Sequence, residues 1–120
     1  MSDEPCPCGT DRPLSECCGP LLTTERLAET AEELMRSRYT AHVFGNVEHL
    51  WRTWDGRTRP VDVTPGDTRW TGLTIREVVD GGPEDATGVV RFVARHEGGE
   101  LVERAEFTRR GGRWFYTRGT

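Results

Sequence analysis

An α+β fold, in which a curved antiparallel sheet wraps around a helix, is what this sequence predicts, and three observations predict it. One segment after residue 30 carries apolar residues at helical spacing between a capping threonine and a stop glycine. Four segments rich in β-formers follow from residue 69, separated by glycine pairs. The third observation is size: 120 residues, 34% of them hydrophobic, leave room for one core and an appendage but not for two ordinary cores.

The appendage comes first. Residues 1–20 hold every cysteine, Cys6, Cys8, Cys17 and Cys18, together with Pro5, Pro7, Pro13 and Pro20, and almost no large apolar side chains. Hydrophobic burial cannot order such a segment. The spacing Cys-x-Cys-x8-Cys-Cys gathers four sulfurs within thirteen residues, which suits tetrahedral thiolate ligation of one metal ion at about 2.3 Å per bond. Zinc is the expected ion, with iron as the alternative. Disulfides are the competing account, but adjacent Cys17 and Cys18 pair with each other only under strain, and a cytosolic setting keeps thiols reduced. Four protein ligands leave no position open for water or substrate, so the expected site is structural and the segment owes its folding to the metal. The boundaries that follow are a knuckle over 1–20, a tether over 21–29 and an α+β domain over 30–120.

The first helix begins at Ala31, because Thr30-Ala31-Glu32-Glu33 reads as a capping box in which Glu33 reaches back. It runs to Phe44, where Gly45 is a natural stop, and Asn46 caps a shorter helix through Val47, Leu50, Trp51 and Trp54. Asp55-Gly56 ends that helix. The strands are expected over Trp70 to Val79, Gly88 to His96, Leu101 to Arg109 and Arg113 to Thr117. Gly81-Gly82-Pro83, Gly98-Gly99 and Gly111-Gly112 are their turns. A four-strand meander after two helices buries one face of each and forms an open cone with a pocket.

These residues carry a resemblance. Cys6 to Gly19, reading Cys-Pro-Cys-Gly-Thr-Asp-Arg-Pro-Leu-Ser-Glu-Cys-Cys-Gly, resembles a SEC-C motif, the zinc knuckle at the C-terminus of the SecA translocation motor. Leu34 to Ala41 and Arg69 to Leu73 resemble the YchJ-like family, whose members join such a motif to a nuclear-transport-factor-two-like, or cystatin-like, cone. The resemblance covers nearly the whole chain and implies a zinc knuckle, the cone fold and, by analogy with SecA, contact with another protein. Three positions depart from the family pattern. Gly9-Thr10-Asp11 stands where the family has Gly-Ser-Gly, Val102 where it often has His, and His42 where an aromatic is expected on the helix.

Counting 100° per residue from Ala31, the apolar stripe of the first helix contains Leu34 and Met35, with Arg38 and His42 near its centre. In the third strand Glu103 shares a face with Leu101, Ala105 and Phe107, so its carboxylate also points to the core. Arg38 and Glu103 are therefore expected to meet, either as a structural ion pair or as part of a pocket with His42. Trp54, Trp70, Trp114 or Tyr116 would then supply apolar walls. His49 and His96 read as ordinary satisfied or exposed side chains, and Glu84, Asp85, Arg109 and Arg110 as solvated turn residues.

Sixteen arginines, no lysine and a net charge of −4 argue against nucleic acid, since the Arg residues are interleaved with Glu and Asp rather than clustered. No apolar run approaches the roughly 20 residues of a membrane span, and the first residues lack the regions of a secretory signal, so a cytoplasmic protein is expected. No paired-carboxylate or nucleophile motif marks an enzyme. Three functions fit: a protein-interaction or adaptor module that presents Arg12 and Leu14 from its knuckle, a small-molecule-binding or enzymatic cone lined by Arg38, His42 and Glu103, or a structural zinc with a scaffold role.

Overall fold

A computed structural model describes residues 4–63 and 66–120. A 3₁₀ turn, Leu14–Glu16, and a one-turn helix α1, Gly19–Leu22, complete the N-terminal segment; α2 spans Ala31–Phe44 and α3 Val47–Arg52. Four strands follow, β1 Trp70–Asp80, β2 Thr87–His96, β3 Gly99–Arg110 and β4 Arg113–Gly119. They pair antiparallel in chain order, β1-β2-β3-β4. The α+β architecture is the one expected, a curved meander with a helix across its face.

Local chemistry sets the helix ends. Thr30 Oγ1 accepts from the Glu33 amide at 3.0 Å, and Gly45 closes α2 with φ 70°. Glu33 does reach back, but to the amide of Glu29 at 2.7 Å rather than to that of Thr30, so the capping box is displaced by one residue. Asn46 Oδ1 accepts from the His49 amide at 3.1 Å. The second helix stops at Arg52, before the expected Trp54, because Thr53 and Asp55 turn to β4: Tyr116 N donates to Thr53 O and Asp55 N to Tyr116 O, both at 2.8 Å.

Register shifts in β1 between Trp70 and Gly72 and between Ile75 and Glu77, and in β3 between Glu106 and Phe107, bend the sheet. The curve brings the start of α2 onto the β1–β2 hairpin, where the Ala31 amide donates to Gly81 O at 2.9 Å. Glycine is required at this crossing. A Cβ on Gly88 would lie 2.5 Å from the Gly81 Cα, and one on Gly81 would lie 2.8 Å from the Ala31 Cβ.

The first twenty residues were expected to order apart from this core, and here the structure differs. Cys6, Cys8, Cys17 and Cys18 belong to the same buried cluster as Leu34, Tyr39, Leu73 and Phe92. The tether also contributes, through buried Leu21 and an Arg26–Glu33 ion pair at 2.8 Å. The physical reason is that thiols are small, soft and apolar enough to pack as core once turned inward. Arg110, with its side chain 39% exposed, is more than a solvated turn residue: its Nη2 meets the buried carboxylate of Asp55 at 2.5 Å. Arg109 and Asp85 are tied up too, with Arg109 donating to Asp85 O and Pro83 O, and Asp85 Oδ2 accepting from Gly82 N.

Candidate metal centre and cone cavity

Two short bonds build the knuckle. Cys6 N donates to Arg12 O at 2.8 Å and Leu14 N to Glu4 O at 2.9 Å, so residues 4–14 fold back as a miniature hairpin with Pro5 bridged to Pro13. The 3₁₀ turn and α1 then return Cys17 and Cys18 beneath it. All four Sγ atoms lie within 4.8 Å of one another, and each cysteine is at most 4% exposed. None is in a disulfide. Four sulfurs at about 2.3 Å on a tetrahedron stand roughly 3.8 Å apart. Cys8 to Cys17 at 3.5 Å and Cys17 to Cys18 at 4.0 Å match that edge, so the donor set fits one tetrahedral thiophilic cation.

Proton sharing points the same way. The Cys6 thiol is held below the usual range, chiefly by the hydrogen bond with Cys18, while Cys18 is pushed well above it by Cys6 and Cys8. At Cys8 the bond with Cys18 works downward but is outweighed by Cys6 and burial, leaving it at about 11. Four buried thiols cannot all ionise beside one another unless a cation discharges them. Around them Thr10 Oγ1 lies 3.1 Å from Cys17 Sγ, Thr40 Oγ1 3.7 Å from Cys6 Sγ, and Arg12 Nη2 3.8 Å from Cys17 Sγ, donors placed to orient thiolates. Arg36, paired with Glu32 on α2, donates to Cys8 O at 2.6 Å and pins the knuckle to the helix.

The structure brings Arg38, His42, Trp54, Trp70 and Glu103 together around one cavity of about 340 Å³, with Tyr116 beside them. Met35 and Tyr39 from α2, and Phe92, Ala94 and Leu101 from the sheet, complete its wall. Met35 and Leu101 lie on the inward faces the sequence predicts; Tyr39, Phe92 and Ala94 were missed, although Tyr39 sits at helical spacing with Met35 and His42, and Phe92 and Ala94 lie opposite Glu103 and Leu101 in the β2–β3 register. Trp114 lies elsewhere, buried with its Nε1 donating to Glu29 O at 3.2 Å.

The expected Arg38–Glu103 ion pair is not formed among the described residues. Arg38 Nη1 donates instead to Leu50 O at 3.0 Å and Thr53 Oγ1 at 2.7 Å, both brought within reach by α3. Its guanidinium lies 4.6 Å from the Tyr116 ring centroid and 5.2 Å from that of Trp54. Burial lowers the Arg38 pKa to about 10, still charged at neutral pH. Glu103 accepts from the Tyr116 hydroxyl at 3.2 Å, and burial holds its carboxyl above the usual range; burial, with Glu103 next, raises Tyr116 to about 12.

The histidines divide. Burial, followed by the charge of Arg38, drops His42 to about 4, and its Nδ1 has no hydrogen-bond partner among the described residues. His49, reduced to about 4 by burial and by Arg52 and Arg38, is fully engaged. Arg52 Nη2, which can only donate, lies 3.0 Å from His49 Nδ1, so the proton sits on Nε2, which donates to Ser37 Oγ at 2.9 Å. His96 ends β2 as expected, its ring edge-on to Trp70 at 5.5 Å.

Residues 30–119 match the family described as YchJ, middle NTF2-like domain. A UPF0225 protein of Streptomyces coelicolor is 47% identical, with 99% of this chain and 97% of that one aligned. A UPF0225 protein of Corynebacterium efficiens is 43% identical over 95% and 91%. Among solved structures, a SEC-C motif containing protein from Rhodopseudomonas palustris superposes with a TM-score of 0.84 at 29% identity, over 98% of each chain. A SEC-C motif containing protein from Psychrobacter arcticus shares the fold, with a TM-score of 0.80 at 22% identity over 96% and 81%.

Proposed function

The chain belongs to the YchJ-like family, and from that membership we propose that it is a zinc-binding protein whose tetrathiolate centre is a structural clasp joining knuckle to cone. The convergence of four buried sulfurs within 4.8 Å carries this reading. Cys6, Cys8, Cys17 and Cys18 would hold the ion, which when bound neutralises their charge and fixes the fold-back of residues 4–18. The chain's own residues do the rest: Thr10, Thr40 and Arg12 donate to sulfur, and Arg36 ties Cys8 O to α2. Zinc is favoured over iron because a closed, buried four-thiolate site offers the tetrahedral sulfur geometry that zinc takes in structural sites. Reduced thiols of this kind suit a reducing compartment such as the cytoplasm. No described helix is long and apolar enough to cross a membrane.

Elemental analysis of reduced protein purified without added metal tests the proposal. One zinc per chain is the expected result; iron, with the visible absorption of its thiolate complex, or no metal at all, sinks it.

A second role, docking to another protein, is supported by the rim that the clasp holds exposed: Glu4, Pro5, Asp11, Arg12 and Glu16. Leu14 is a weaker contact than its sequence position promised, because it is half-buried against the core. Glu16→Arg in metal-loaded protein should release a bound partner; equal retention by both forms would remove the knuckle as the contact surface.

A further inference from the structure

We propose that the cone cavity is a binding site for a small organic monoanion, a carboxylate on a flat apolar body, with Arg38 as its charge partner. Arg38 is 4% exposed, yet none of the ion pairs among the described residues includes it. Among the described residues its hydrogen bonds use Nη1 alone and end on neutral acceptors, Leu50 O and Thr53 Oγ1. Buried cations in proteins are ordinarily paired, because neutral acceptors and ring faces recover only part of the lost hydration. Glu103, the acid on the same wall, is held by Tyr116 instead.

An independent observation falls on the same wall. Four buried side-chain polar atoms lack a partner among the described residues: His42 Nδ1, Trp54 Nε1, Trp70 Nε1 and Arg110 Nε. Three of the four belong to residues lining this cavity. Orphaned polar atoms are scarce in native structures, and their gathering at one cavity calls for a local cause. Two of the three are indole N–H groups, which donate and cannot accept, so the missing partner is an acceptor. A carboxylate in the cavity is such an acceptor and the partner the guanidinium lacks, with the indole N–H groups buried in the same lining.

Shape and charge narrow the class. At ~30 Å³ for each water-sized unit, 340 Å³ accommodates a ligand of on the order of ten non-hydrogen atoms. Met35, Tyr39, Phe92 and Leu101 offer it an apolar bed, and the rings of Trp54, Trp70 and Tyr116 line the rest of the cavity, a wall suited to a flat body. A dianion such as phosphate is disfavoured, because one guanidinium would face it and Glu103 would repel it. A cation would leave Arg38 unpaired.

The test uses full-length, metal-loaded protein and nitrogen-15 NMR of the indole groups, titrated with benzoate and with benzamide, its neutral isostere. The four tryptophans give four indole signals, assigned by single Trp→Phe exchanges. Benzoate should shift those of Trp54 and Trp70 and leave Trp51 and Trp114 in place. It should bind about ten- to a hundredfold tighter than benzamide, the range for one hydrogen bond to a charged group. Arg38→Gln should remove that preference. Because Arg38 also holds α3, Glu103→Gln provides a second variant that leaves the helix contacts intact: removing the repelling charge should tighten benzoate severalfold. Equal binding of benzamide, shifts confined to Trp51 or Trp114, no shift at the solubility limit, or weaker benzoate binding by Glu103→Gln would each overturn the proposal.

Discussion

The knuckle and the cone mouth both place polar, reactive groups under cover, and they do so in opposite ways. In the knuckle four thiols converge within 4.8 Å, and every one of them has a sulfur or hydroxyl neighbour supplied by the chain itself. In the cone mouth a guanidinium, two indoles and an imidazole share a wall, yet three of their buried atoms have no hydrogen-bond partner among the described residues. A centre for a resident ion is closed by its own ligands, because any gap in the tetrahedron costs binding energy that the fold depends on. A site for a visiting molecule leaves groups over. The difference predicts that disturbing the first removes stability, while disturbing the second removes recognition and little else.

The largest effect should come from stripping the metal. Structural zinc contributes on the order of 10–16 kcal/mol in small zinc domains, comparable with the 5–15 kcal/mol that hold a whole domain folded. Since the cysteines share one buried cluster with Leu34, Tyr39 and Phe92, a strong chelator should lower the melting of knuckle and cone together, by more than about 10 °C in a calorimeter. Two separate transitions, with the cone's unmoved, would break the comparison and restore a knuckle that folds apart.

Acid sharpens it next. His49 is satisfied as a neutral ring between Ser37 and Arg52, and the charges of Arg52 and Arg38 oppose its protonation. Its unfolded form takes a proton near pH 6.5 and its folded form only near about 4. Between those values the unfolded state binds more protons, so the stability due to the neutral ring is complete above pH 6.5 and lost as pH falls toward 4. At about 1.4 kcal/mol per unit this amounts to up to ~3 kcal/mol. His42 is lowered to about 4 as well and adds a similar slope, so His49→Gln should roughly halve that stretch of a urea-denaturation series measured against pH; an unchanged slope would mean the His49 ring carries no such penalty.

Arg38→Met should cost far less. The guanidinium loses two hydrogen bonds but also escapes burial without an ionic partner, and Met nearly fills its volume, so a change within about 2 kcal/mol is expected. Cys18→Ser should cost several times more in the same urea titration. Comparable losses at the two positions would show that Arg38 is as structural as the thiolates.

What the sequence disclosed follows from how local each cause is. The sulfurs span thirteen residues, so spacing alone announced their convergence, and the Thr30 cap, the Gly45 stop and the glycine turns are equally short-range. The inward faces of Arg38 and Glu103 were readable from periods of 3.6 and 2. Whether two inward groups touch depends on how α3 packs, which no period records: Arg38 found Leu50 O and Thr53 instead. The Arg110–Asp55 pair, 55 residues apart, was hidden for the same reason. The entry of the thiols into the main core was hidden too, because counting apolar residues after position 20 leaves out cysteine as a core residue.

The smallest predicted effect lies in the knuckle's turn. Asp11 adopts φ 67° where the family resemblance leads one to expect glycine. Aspartate is among the few L-residues that tolerate this region, so the turn forms, but its Cβ still meets the neighbouring carbonyl. Asp11→Gly should relieve that contact while raising the entropy of the unfolded chain, for a net gain of no more than about 1 kcal/mol. The gain should appear as up to about fivefold tighter metal retention in competition with a colorimetric chelator, with benzoate binding in the cone unchanged. If the exchange altered benzoate affinity as well, the turn and the cavity would be coupled through the shared core. The division between a self-completed centre and an open one would then have to be redrawn.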